Sequence, residues 1–171
     1  MPTQRIPMME LEEAQAVAET MEMPAPFGNL NIFRTLFHNP DLGKALGELL
    51  LVLLLKSSLD HRLRELVIMR IGWSTGSEYE WTQHWRIALD QFGCTEDDLL
   101  ALRNWRESDH FNESERAILQ ATDEIVESGT LSDGSWAACE AALPGPVTRV
   151  ELVASIATSV IAAAALPHVL T

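Results

Sequence analysis

The run from 60 to 93, DHRLRELVIMRIGWSTGSEYEWTQHWRIALDQFG, constrains this chain more than any other stretch. It opens on Asp60, a good helix N-cap, and closes on Gly93, a residue suited to the position just past a helix C-terminus. The small residues Ser74, Thr75 and Gly76 break it in the middle, so it reads as two joined helices. The first carries one acid, Glu65, on a face crowded with Leu63, Leu66, Val67, Ile68, Met69 and Ile71. The second carries Glu80 and His84 four residues apart, which places both on one helix face. Trp81 and Trp85 flank them. An acid and an imidazole beside bulky apolar surface form a candidate proton-transfer pair, because desolvation and a near charge both move pKa values. A solvated surface pair is the plainer alternative.

The rest of the chain also reads as helical. Helices are predicted over 10–21 and 30–37, and over 41–57 with Asp41 as N-cap after the stop signal His38-Asn39-Pro40. Residues 49–55 are apolar almost all round, which predicts burial on most sides, within the monomer or at a subunit interface. Thr95 with Asp98 resembles a capping box that starts a short helix through 103. Asn112 with Glu115 caps a helix over 113–128, which Gly129 ends. Ser132 or Asp133 opens a helix to 143, and a last one runs over 147–166. No strand signal survives, so the fold class is all-α. The division expected is an N-terminal arm and helix over 1–28 and one helical domain over 29–171.

Composition narrows the function classes. Hydrophobic residues make up 47% and charged residues 22% of the 171, a globular balance. The formal charge of −13 repels phosphate backbones, which argues against a nucleic-acid partner. No basic amphipathic stretch suggests a membrane surface. The C-terminal apolar run is broken by Glu151, ends at Pro167 and is too short and rich in small residues to favour a membrane span. The N-terminus lacks the apolar core of a signal peptide. Cys94 and Cys139 form neither a CxxC nor a zinc spacing and read as free thiols, although a disulfide between them stays open. Free thiols fit a reducing cytoplasm. There is no metal signature, phosphate loop or nucleophile elbow, so neither a metal nor a cofactor is called for.

Each candidate residue has a structural alternative. His84 reads as general acid or proton relay, or as a histidine satisfied by Glu80. Glu80 reads as a proton carrier or as the group that orients His84, or as a solvent-facing acid. Glu65 reads as a supporting acid from the neighbouring helix, or as a buried acid satisfied by Arg62 or Arg70. Ser77 donates a hydrogen bond or merely caps its helix. Trp73, Tyr79, Trp81 and Trp85 wall a pocket for a flat or cyclic substrate, or pack the core. His38, His61, His110 and His168 have weaker claims.

Arg64-Glu65, the run Thr75-Gly76-Ser77-Glu78-Tyr79-Glu80-Trp81, His84 and Gly93 together resemble the carboxymuconolactone decarboxylase family, whose superfamily also holds the AhpD-like alkylhydroperoxidases. In the peroxidase branch two cysteines stand where this chain has Ser77 and Glu80, with a histidine at the position of His84. The decarboxylase branch has a glutamate four before that histidine, as Glu80 and His84 do. The resemblance implies a single-domain, AhpD-like helical bundle assembling as a trimer or hexamer. It implies a cofactor-independent lyase acting on a small cyclic carboxylic acid or lactone. In it His84 is the proton donor or relay, Glu80 holds His84, Glu65 supports, and Ser77, Tyr79, Trp81 and Trp85 bind substrate. A thiol peroxidase is disfavoured, because Ser77 and Glu80 cannot cycle through a disulfide. A helical oligomer that binds a small molecule without catalysis is the third reading.

Overall fold

A computed structural model describes residues 6–165, and among these it contains nine α-helices, two short 3-10 turns and no strand. The chain divides into two compact units, one ending at Lys56 and the other beginning at Ser57. His168, Pro167 and residues 1–5 lie outside the described residues.

The first unit contains α1 (Leu11–Thr20), a 3-10 turn (Ala25–Asn29), α2 (Asn31–Leu36) and α3 (Pro40–Leu55). Its core is a run of rings: Phe27 lies 4.5 Å from Phe33 and Phe33 lies 5.6 Å from Phe37, centroid to centroid. Gly43 and Gly47 make room for them, since a Cβ at either would sit within 3.4 Å of Phe37 or Phe33 side-chain atoms. The N-cap of α3 is Asn39, whose side chain accepts from the Leu42 amide, and not Asp41. Pro40 occupies the first helical turn, where its missing N–H costs nothing, so it starts the helix it was expected to precede. Within the monomer this helix is buried along only part of its apolar surface. Leu46 and Leu53 are buried, whereas Leu42, Leu49, Val52 and Leu55 are exposed.

The second unit contains α4 (His61–Ser74), α5 (Glu78–Gln91), α6 (Glu96–Ala101), a 3-10 turn (Leu102–Asn104), α7 (Glu113–Ser128), α8 (Asp133–Ala142) and α9 (Pro146–Ala165). Helix α4 is its centre and packs against α5, α7 and α9. Val67 and Ile71 face one apolar cluster with Ile118, Cys139, Leu152 and Ile156. Leu66 and Met69 face another with Ala88, Leu99, Trp105 and Leu119. A helix with apolar residues on two faces has to be enclosed, which explains why its polar residues become special.

Local sequence accounts for the ends of these helices. Asp60 accepts from the Leu63 amide, and Ser77 caps α5. Both capping boxes form, Thr95 with Asp98 and Asn112 with Glu115. Gly76, Gly93 and Gly129 adopt positive φ values of 68°, 72° and 74° at the breaks, where a side chain would be strained. Helix α9 is long and apolar enough, by length and composition alone, to cross a membrane, contrary to the shortness expected. It also contributes Leu152 and Ile156 to the core. Its interrupting acid, Glu151, accepts hydrogen bonds from the Ser58 and Leu59 amides ahead of α4.

Candidate active site

Three ionisable side chains meet where α4 crosses α5. Glu65 is fully buried, at 0% exposure. Its carboxylate accepts a hydrogen bond of 2.8 Å from Nδ1–H of His84 on the neighbouring helix. A carboxylate can only accept, so Nδ1 carries a proton and Nε2 points the other way. Glu80 Oε2 lies 3.8 Å from that Nε2. Glu80 is 5% exposed, and the His84 side chain is 20% exposed. Gly72 permits the crossing: a Cβ there would lie 3.1 Å from the Trp81 backbone nitrogen and 3.3 Å from Glu80 Cβ.

This geometry redistributes the expected roles. Glu80 was expected to hold His84, but the hydrogen bond belongs to Glu65. The alternative reading of Glu65, a buried acid satisfied by an arginine such as Arg62 or Arg70, holds in kind, but the arginine is the adjacent Arg64, with a nitrogen 3.3 Å away and 1% exposure. Arg62 bridges Asp98 and Glu115. Arg70 pairs with Asp123, which also accepts from Arg106 and from the Trp105 indole. Sequence order gave no sign of the acids that engage Arg62 and Arg70, because these lie 36 and 53 positions away.

The electrostatics follow from burial and proximity. Burial works against a charged imidazole. The hydrogen bond to Glu65 and the charges of Glu65 and Glu80 outweigh it and hold His84 above its ordinary value. Burial also pushes Glu80 upward, with His84 opposing the shift and Glu65 adding to it. Both shifts act to keep protons in the site, favouring the charged imidazole at His84 and the protonated carboxyl at Glu80. Such a pair can deliver a proton to a bound molecule near neutral pH.

At the break between α4 and α5 lies a pocket of about 510 Å³ lined by Gly72, Trp73, Gly76, Ser77, Glu78, Trp81 and Thr82, a lining that does not include Glu65, Glu80 or His84. Trp81 stands 5.5 Å from both Trp73 and Trp85, ring centroid to ring centroid. Of the expected substrate-binding residues, Ser77 and Trp81 line the pocket. Trp85 continues the aromatic row and packs on the core, and Tyr79 is buried. Ser77 caps α5, accepting from the Glu80 amide at 3.4 Å. Arg103, unremarked in the sequence, lies with its guanidinium carbon 4.9 Å from the Trp73 ring and 5.5 Å from that of Trp81. Among the described residues no cluster of three His, Cys, Asp or Glu side chains suits a metal ion.

A model of the carboxymuconolactone decarboxylase family matches residues 40–124, a span that contains Glu65, Glu80 and His84. This segment belongs to the carboxymuconolactone decarboxylase family. No curated protein sequence matches the chain. Among solved structures, it is similar to a protein of unknown function from Agrobacterium tumefaciens, described as a candidate antioxidant defence protein AhpD. The identity is 24% and the TM-score 0.67, over 75% of this chain and 87% of that one. It is also similar to the debrominase Bmp8 bound to tribromopyrrole, at 20% identity and TM-score 0.73, over 95% of this chain and 88% of that one. The apo debrominase matches at 18% identity with the same TM-score of 0.73, over 96% of this chain and 89% of that one. The fold is thus AhpD-like and all-α, and the nucleus lies at the crossing of α4 and α5, inside the matched segment.

Proposed function

We propose that this protein is a cofactor-independent lyase that decarboxylates a small cyclic carboxylic acid or lactone. The observation that supports this most is the buried array Glu65, His84 and Glu80, with a hydrogen-bonded imidazole aimed at a second acid. In the reaction the bond from ring carbon to carboxylate breaks and CO2 leaves. The electron pair stays on the ring as a delocalised dienolate. His84 delivers the proton that forms the new C–H bond and regains one from water. Glu65 fixes the ring and stabilises its charged form, and Glu80 is a reserve proton carrier beside Nε2. Trp73 and Trp81 exclude water, which strengthens each of these interactions. A debrominase of similar fold binds a flat ring, which is in keeping with a ring-sized ligand here.

A thiol peroxidase reading finds little support. Ser77 and Glu80 stand at the redox positions, and burial pushes the Cys94 thiol up to about 12. The trimer or hexamer implied by the resemblance belongs to the same proposal, and the exposed Leu55, Val147 and Val150 offer apolar surface for it.

The test is CO2 release from γ-carboxymuconolactone and a panel of related cyclic acids, with wild type beside His84→Ala. Turnover should fall at least about a hundredfold in the variant, the lower end for lost acid–base catalysis. No turnover on any panel member, or an unimpaired His84→Ala, would remove the lyase reading in favour of a binding protein.

A further inference from the structure

We propose that Arg103 recognises the carboxylate of a flat anionic ligand seated against Trp73 and Trp81. The proposal rests on the acid-substrate reading above and names the group that selects the acid. Three observations support it.

Arg103 lies over two indoles at once, and both indoles line the pocket beside Ser77. A guanidinium packed against aromatic rings with no acid on its nitrogens has N–H groups left to meet a carboxylate, bidentately where the fork is presented. Among the described residues Arg103, like Arg34, Arg86 and Arg116, pairs with no acid side chain, and of these four it is the one lying over the pocket's indoles. Arg62, Arg64, Arg70, Arg106 and Arg149 each pair with an acid side chain. Among the described residues no acid lies within ion-pair distance of Arg103, which is exposed.

The third observation is the charge around it. A chain of formal charge −13 repels an anion unless a local cation receives it. On the pocket wall itself the exposed acid Glu78 repels a carboxylate from the start of α5. The two effects together favour a ligand oriented with its ring on the tryptophans and its carboxylate toward Arg103.

The experiment is titration of intrinsic tryptophan fluorescence with benzoate and with benzamide, which share a ring and differ in charge. Wild type should bind benzoate at least about tenfold more tightly, the scale of one charge-assisted hydrogen bond. Arg103→Gln should bring the ratio to near one without weakening benzamide. Arg103→Lys should retain part of the preference. Arg86→Gln removes the same charge from an exposed site one turn beyond Thr82 and should leave the ratio intact. A benzoate preference that survives in Arg103→Gln overturns the proposal. So does its equal loss in Arg86→Gln, or a wild type that binds benzoate no better than benzamide or binds neither. Absence of CO2 release would defeat the lyase reading while leaving this ratio to be read independently.

Discussion

Glu65→Gln replaces one carboxylate oxygen by an amide NH2 and tests the centre of the site. Glu65 is completely buried and accepts from His84 at 2.8 Å, with the buried Arg64 at 3.3 Å. The amide keeps an acceptor and loses the charge. Removing one partner of a buried ion pair costs about 3–5 kcal/mol, because the other charge is left uncompensated. The share that belongs to His84 is a charge-assisted hydrogen bond, about 1.5–3 kcal/mol. That share has a definite pH dependence. His84 is raised in the folded state, so its stabilisation is complete below the unfolded value of about 6.5. It is lost as pH rises through the higher folded value. A double-mutant cycle of Glu65→Gln with His84→Ala isolates it, read by urea denaturation followed through tryptophan fluorescence. The coupling should be about 1.5–3 kcal/mol near pH 6 and clearly smaller near pH 9. A coupling below about 0.5 kcal/mol near pH 6, or one that does not shrink with rising pH, would refute the reasoning.

Two further outcomes test the surroundings of the site. Burial would raise Asp98, but hydrogen bonds from the Thr95 amide, Arg62 and His110 outweigh it and hold the carboxyl at about 2. That stabilisation is present above the unfolded value of about 3.9 and lost as pH falls through about 2, so Asp98→Asn should flatten the acid limb of the stability curve by about 2–3 kcal/mol. An unchanged limb would show that the cluster contributes nothing there. Native Cys94, pushed up to about 12 inside the core, should resist a thiol reagent at pH 8 and react on addition of urea; rapid native labelling at Cys94, located by mass spectrometry, would contradict its burial.

Some of this chain was legible because its causes are local. Helix starts at Asp60, Thr95 and Asn112, and stops at Gly93 and Gly129, depend on residues a few positions apart, and all formed as expected. Asn39 was missed as the cap of α3 because Asp41 is as good a cap by type. Only the position of Pro40, tolerated within the first turn, distinguishes them. The exposure of Leu49, Val52 and Leu55 could not be read from α3's own pattern, because an all-apolar segment does not say which side is covered.

By itself the sequence determined an all-helical chain, the family of its central segment, and the presence of Glu65, Glu80 and His84 near one helix break. Helical spacing also placed Glu80 and His84 on one face. Only the tertiary structure decided which acid the imidazole engages. Gly72 lets α5 lie close on α4, and this brings a fully buried carboxylate, nineteen positions before His84, within 2.8 Å of Nδ1. Glu80, four positions away on the same helix, stays at 3.8 Å. Arg103 likewise gained its two tryptophans through packing. Spacing along a chain fixes which side chains share a face. The approach of a second helix fixes which of them meet, and the low dielectric there makes that meeting decide the chemistry.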